Sequence, residues 1–173
     1  VFPGCQGTPS MNMVAAKAVC FQRAGKPAFR AIQRQTLSNA RCLAKELAAH
    51  GYRIVSNGTD NHIVLIDLRT KGLTGENAEN QLEAVGLIVN RNPIPNDRQQ
   101  PHHASGLRLG TPAITKRGMK EAEVKQIATW IDTVLNIENL LGGDFNDRFT
   151  GSTGGNVLDM GDGSDRAFGL GGN

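Results

Sequence analysis

Arg108 stands between two apolar residues in the run Ser105-Gly106-Leu107-Arg108-Leu109-Gly110-Thr111-Pro112. On a strand, Leu107 and Leu109 would point one way and Arg108 the other. A guanidinium presented like this suits a carboxylate, because its planar fork makes two parallel charge-assisted hydrogen bonds. An isolated Arg is more commonly a solvated surface group, and that reading stands beside the first. Gly106 and Gly110 would let other groups approach the backbone closely. Asn90-Arg91-Asn92-Pro93 is a second candidate, since an Asn amide can both donate and accept toward a heterocycle. A turn ahead of the proline is the plainer reading of that spacing. His102 and His103 are adjacent and would point apart on an extended chain, which argues against one metal taking both. Thr59-Asp60-Asn61-His62 reads as a turn with a satisfied His before it reads as acid–base machinery. Residues 1–137 contain no GxSxG, HExxH, Walker loop or GxGxxG.

The elements that must position these residues alternate between helix and strand. Pro9 to Gly25 is rich in Ala and Val and reads as a helix, interrupted by Gly25-Lys26-Pro27. Ile32, Thr36, Ala40, Leu43 and Leu47 follow at steps of four, four, three and four, one helical face that Gly51 stops. Tyr52–Val55 predicts a short strand, Asn57-Gly58 a turn, and Ile63–Ile66 a second strand antiparallel to the first. Thr74 can cap a helix bearing Ala78, Leu82 and Val85, which Gly86 ends. Leu87-Ile88-Val89 predicts a third strand, and Asn90–Ala104 a polar loop with three prolines. Val124, Ile127, Ile131 and Val134 mark the face of a last helix. The fold class is α/β, a short, mostly antiparallel sheet covered by helices.

The chain has 173 residues, 39% apolar and only 5% aromatic, so its core must be mainly aliphatic. The net charge of +3 gives no argument for a nucleic-acid partner. No apolar run approaches the ~18 residues that would span a bilayer. The three cysteines include no CxxC pair, so reduced thiols of a cytoplasmic protein are expected. Val1 opens the sequence on a turn-like Val1-Phe2-Pro3-Gly4, which suggests a piece of a longer chain. Charge divides unevenly, +7 over residues 1–137 and −4 over residues 138–173, and the latter hold 10 of the 21 glycines. Three regions follow: 1–50 with the long helices, 51–137 as a small α/β domain, and a Gly/Asp-rich tail at 138–173.

Four long segments carry a family resemblance: VFPGCQGTP at 1–9, GYRIVSNGTDNHIVLIDL at 51–68, LTGENAENQLEAVGLIVNRNPIPND at 73–97 and SGLRLGTPAITKRG at 105–118. Together they resemble the C-terminal part of serine hydroxymethyltransferase, over residues 1–136. The resemblance implies the small C-terminal domain of the aspartate-aminotransferase fold type. It implies pyridoxal 5'-phosphate as cofactor, serine and glycine as substrates, and tetrahydrofolate as the acceptor of the one-carbon unit. It implies a cytoplasmic homodimer or homotetramer with shared active sites. By this resemblance Arg108 grips the substrate carboxylate and Asn92 contacts the folate pterin. Gly7 and Thr8 lie in the loop whose backbone reaches the cofactor phosphate of the neighbouring subunit. Thr8 replaces the second Gly of that loop, Asn57 stands at a usual Gly, and His102-His103-Ala104 replaces a common Phe-Val-Thr. The family's Schiff-base lysine belongs to a motif upstream of the segment beginning at Val1, and Lys17 is no substitute, so the chain alone is expected to be inactive. The family's large domain would cover part of the Pro9–Gly25 helix, which is therefore expected to expose apolar surface here.

From Gly142 the tail repeats every nine residues as GGDFNDRFT, GSTGGNVLD and MGDGSDRAF. This is similar to the repeats-in-toxin calcium nonapeptide, in which glycine turns and Asp carboxylates bind calcium between stacked short parallel strands. The candidate ligand positions are Asp147, Asn156 and Asp165. A calcium-binding module of a secreted protein, a related pyridoxal-phosphate enzyme and a flexible tail are the competing readings.

Overall fold

The computed structural model describes residues 2–136 and, beyond them, 139–141, 148–150, 157–159, 164 and 166–168. Two helices open the chain, α1 (Met11–Ala24) and α2 (Pro27–Ala49). Pro27 fits the first turn of α2 because that N–H has no intrahelical partner to lose. Thr36, Ala40, Leu43 and Leu47 are buried on the face their spacing predicts, together with Asn39 and Ala44. Ile32 departs from the expectation and stays exposed, because packing against α2 begins only at Gln35 and Thr36. Gly51, at φ +84°, supplies the left-handed residue that turns the chain out of the helix. α1 buries no residue at all.

The sheet has four strands, β1 (Arg53–Ile54), β2 (Ile63–Asp67), β3 (Asn90–Asn92) and β4 (Gly106–Gly110), in the order β1-β2-β4-β3 with every pairing antiparallel. β1 is shorter than the predicted Tyr52–Val55, since Val55–Asn57 winds into a 3-10 turn with Ser56 and Asn57 at positive φ. Asn is among the non-glycine residues that enter the left-handed region most readily, which suits Asn57 there. The third strand is displaced from Leu87–Val89 to Asn90–Asn92. The ladder of β4 is offered to Asn90–Asn92, opposite Arg108, Leu107 and Gly106. Leu87 and Val89 lean on the core as partly buried side chains, while Ile88 between them is 77% exposed. The apolar triplet thus reflects burial without a ladder, and part of the predicted polar loop is strand.

The remaining helices are α3 (Gly75–Ala84), α4 (Pro112–Lys116) and α5 (Glu121–Leu135). Thr74 caps α3, its hydroxyl accepting from the Asn77 N–H at 3.2 Å. Ala78 and Leu82 are buried, but Val85 falls just past the helix end and is exposed before Gly86 reverses the chain at φ +81°. Val124, Ala128, Ile131 and Leu135 form the buried face of α5, with Ile127 and Val134 at its margins. One face of the sheet, carrying Ile54, Val64, Ile66, Leu107 and Leu109, packs into a core with α2, α3 and α5. Each fully buried aliphatic side chain there contributes about 1.5–3 kcal/mol.

Buried polar bonds fix where the fourth strand ends. Asn39 donates to Thr115 Oγ1 at 2.8 Å and to the Met119 carbonyl at 3.0 Å. Thr111, directly after β4, donates to the Thr36 carbonyl at 2.9 Å. These bonds satisfy groups that would be costly to bury alone and tie α2 to the turn behind Arg108.

Beyond α5 lie β5 (Asn139–Leu141), β6 (Arg148–Thr150), β7 (Val157–Asp159) and β8 (Arg166–Phe168). β5 pairs with β7 and β6 with β8, both parallel, each partner eighteen residues away. That separation is twice the nine-residue period of the sequence.

Candidate functional site

The face of the sheet opposite the core holds two of the sequence-predicted residues, Arg108 and Asn92. Strand alternation puts Arg108 there, exposed between the buried Leu107 and Leu109. Asn90 and Leu65 are its register partners, and Asn92 lies opposite Gly106. Arg108 and both asparagines therefore share one face. Arg108 makes one long contact, 3.5 Å from its Nη2 to Asn90 Oδ1, which orients the fork without consuming it. Among the described residues no carboxylate pairs with Arg108. Asn92 donates to the Pro93 carbonyl at 2.9 Å.

Gly106 is required by its surroundings. A Cβ there would stand 2.4 Å from Ile94 Cγ2 and 2.6 Å from the Asn92 carbonyl oxygen, so no side chain fits. Gly110 corrects the parallel expectation, because its nearest groups, Pro112 Cδ at 3.8 Å and the His62 oxygen at 4.0 Å, are ordinary contacts.

His102 and His103 also differ from their expected arrangement. They lie in a turn and not on an extended chain, with ring centroids 4.1 Å apart. His103 Nδ1 is 2.6 Å from Glu76, which also meets Arg91 at 3.2 Å. Arg91 reaches Glu79 at 3.0 Å, and the Glu79 carboxylate accepts the Arg91 backbone N–H. This ion cluster covers the outer edge of β3. Bonds from His103 and Arg91 hold the Glu76 carboxyl below its ordinary range. Among the described residues no group of three His, Cys, Asp or Glu is placed to hold a metal. The calcium candidates Asp147, Asn156 and Asp165 lie outside the described residues.

Gly7 and Thr8 do not join Arg108 and Asn92. They stand in the exposed stretch ahead of α1, and a Cβ at Gly7 would meet nothing within 4 Å. The extra bulk of Thr8 thus opposes nothing within this chain.

With this geometry described, the comparisons with known proteins decide the family. The serine hydroxymethyltransferase family model matches residues 1–131. A serine hydroxymethyltransferase of Methanospirillum hungatei JF-1 is 52% identical over 135 residues, 78% of this chain and 33% of that protein. The chain belongs to the serine hydroxymethyltransferase family. It spans about a third of the length of that curated relative.

Two carboxylates around this serine hydroxymethyltransferase segment's sheet were missed by sequence reasoning. Asp67, 1% exposed at its side chain, takes Arg69 and Arg53 on its oxygens at 2.8 and 2.5 Å. Hydrogen bonding from Arg69, with that from Arg53, overcomes burial and holds Asp67 down at about 2. Asp97 accepts four bonds: the Ser105 N–H at 2.8 Å, the Ser105 hydroxyl at 2.6 Å, the Gln99 N–H at 3.0 Å and the Ile94 N–H at 3.3 Å. Burial pushes its pKa up, but these donors win and hold it at about 2. The only local signal was Asp97 beside a proline-rich turn, which does not reveal a partner eight residues away at Ser105.

Among the described residues no helix is long and apolar enough to cross a membrane.

Proposed function

We propose that this chain is the C-terminal part of a pyridoxal-phosphate-dependent serine hydroxymethyltransferase that interconverts serine and glycine and passes the one-carbon unit to tetrahydrofolate. The observation that carries this reading is Arg108 standing open beside Asn90 and Asn92 on the sheet face away from the core, with no acid partner among the described residues. Arg108 binds the carboxylate of serine or glycine through its two-pronged fork and so orients the α-carbon. Asn92 takes the folate heterocycle on the same face. The exposed stretch at Gly7 and Thr8 would hold the cofactor phosphate of a neighbouring subunit through its backbone N–H groups, in a cytoplasmic homodimer or homotetramer. Pyridoxal 5'-phosphate, when bound, supplies the electron sink for chemistry at the substrate α-carbon. The chain by itself is inactive in this reading, since the family's Schiff-base lysine belongs to another motif and Lys17, on the exposed α1, is no substitute.

The test joins the first two-thirds of the Methanospirillum hungatei enzyme to this chain and measures serine cleavage with tetrahydrofolate. The fusion is expected to be active, and Arg108→Lys to lower kcat/KM for serine by about 10- to 100-fold, the value of a charged hydrogen bond lost. An unchanged kcat/KM contradicts the assignment of Arg108. Lysine-linked cofactor absorbance in the isolated chain contradicts its inactivity.

A second reading concerns the tail alone and starts from its nine-residue period and the parallel pairing of its short strands. In this reading Asp147, Asn156 and Asp165 would supply oxygen ligands to calcium. Circular dichroism with and without millimolar calcium decides it: added strand signal supports the site, and an unchanged spectrum removes it.

A further inference from the structure

The loop from Pro93 to Ser105 joins the strand of Asn92 to the strand of Arg108. We infer that Asp97 is a positioning residue, which closes this loop over Gly106 and thereby sets the separation and tilt of Asn92 relative to Arg108. The inference rests on the reading of those two residues as folate and carboxylate contacts.

Four observations converge on it. Both oxygens of Asp97 are used, one accepting from the Ser105 and Ile94 N–H groups and the other from the Ser105 hydroxyl and the Gln99 N–H. Its partners thus lie at both ends of the loop, Ile94 two residues after Asn92 and Ser105 three residues before Arg108. The closed loop is held against an unfavourable backbone, with Asn96 at φ +57° and Ala104 at φ +41°. Ile94 is pressed onto Gly106, leaving no room for a Cβ between them. Ser105 is fixed on its other side too, its carbonyl accepting the Leu68 N–H at 2.9 Å. A neutral or shorter residue at 97 would release both loop ends together, while the core on the opposite sheet face keeps its packing.

The test has two arms. In the chain as it stands, nuclear magnetic resonance of Asp97→Ala is expected to shift the Asn92 and Arg108 amides and speed hydrogen exchange at Ser105 by about 10-fold or more, with the Leu43 and Ala128 amides unmoved. Ser105→Ala, which removes one bond of the four, is expected to move the same amides less and in the same direction. In the active fusion, Asp97→Ala is expected to raise KM for serine and for tetrahydrofolate by about 10- to 100-fold, the cost of sub-ångström to ångström misplacement, with kcat altered far less. The inference is overturned if Asn92 and Arg108 do not shift, or if the changes spread evenly to Leu43 and Ala128. An inactive fusion contradicts the functional reading and leaves the resonance arm to decide the positioning role.

Discussion

The N-terminal arm, residues 2–35, and the α/β domain, residues 36–135, match the same family, yet only one of them carries its own core. The domain buries Leu47, Ile66, Leu107 and Ile131 in one aliphatic cluster. The arm leaves Met11, Met13, Val14, Val19 and Phe21 exposed, Phe21 at 72%. Its helix has 14 residues and buries none, a length at which an isolated helix is marginal in water. The family motif at Gly7 and Thr8 is nonetheless clear. Motif strength and local packing therefore report different things. In the domain the motif residues pack into the core, and in the arm they stay exposed.

The comparison breaks first on core truncation. Leu47→Ala, at a fully buried site on α2, is expected to cost about 2–5 kcal/mol in urea unfolding. Phe21→Ala, although larger in volume lost, is expected to change stability by less than about 0.5 kcal/mol. Equal losses would mean that the arm packs as the domain does.

Acid sharpens the contrast next. No Asp or Glu precedes Glu46, so the titration of carboxylates cannot act through the arm. Asp67 is held at about 2 against an ordinary value of 3.8. A depressed carboxylate stabilises above its unfolded pKa and loses that contribution as pH falls through its folded pKa. Stability is therefore expected to drop by about 2 kcal/mol between roughly pH 4 and pH 2, an amount set by the linkage of pKa to folding. Urea midpoints across that range measure it, and Asp67→Asn should remove this share of the fall while leaving that of Asp97, which is also held at about 2.

The smallest effect concerns helix starts. Thr74→Ala removes the hydroxyl that caps α3 and is expected to cost about 1 kcal/mol. Ser10 precedes α1 but donates to Asn12 Oδ1 at 2.6 Å and makes no capping bond. Ser10→Ala should change thermal unfolding by less than about 0.5 kcal/mol.

What the sequence made legible follows the range of each interaction. The alternation of Leu107, Arg108 and Leu109 is a local period of two, and it placed Arg108 on the open face correctly. Thr74 and Gly86 likewise acted through neighbours a few residues away. The strand at Asn90–Asn92 was displaced in the reading because the apolar triplet before it marks burial, while pairing depends on where Gly106–Arg108 falls. Ile32 obeyed the helical period but lay beyond the reach of the packing partners of α2. Asp97 was invisible for a related reason: its worth lies in closing a loop onto Ser105, and no periodicity encodes that. In the tail the paired strands lie eighteen residues apart, twice the period of the sequence.

Amide hydrogen exchange of this chain alone, resolved along the sequence by mass spectrometry, tests the central contrast most directly. The account predicts that amides of Met11–Ala24 exchange at nearly unfolded rates, while those of Ala40–Leu47 and Val124–Ile131 exchange about 10³-fold more slowly or beyond. Comparable protection in α1 and the domain helices would contradict it, because a helix that buries nothing in this chain would then be stable without the surface it is argued to await.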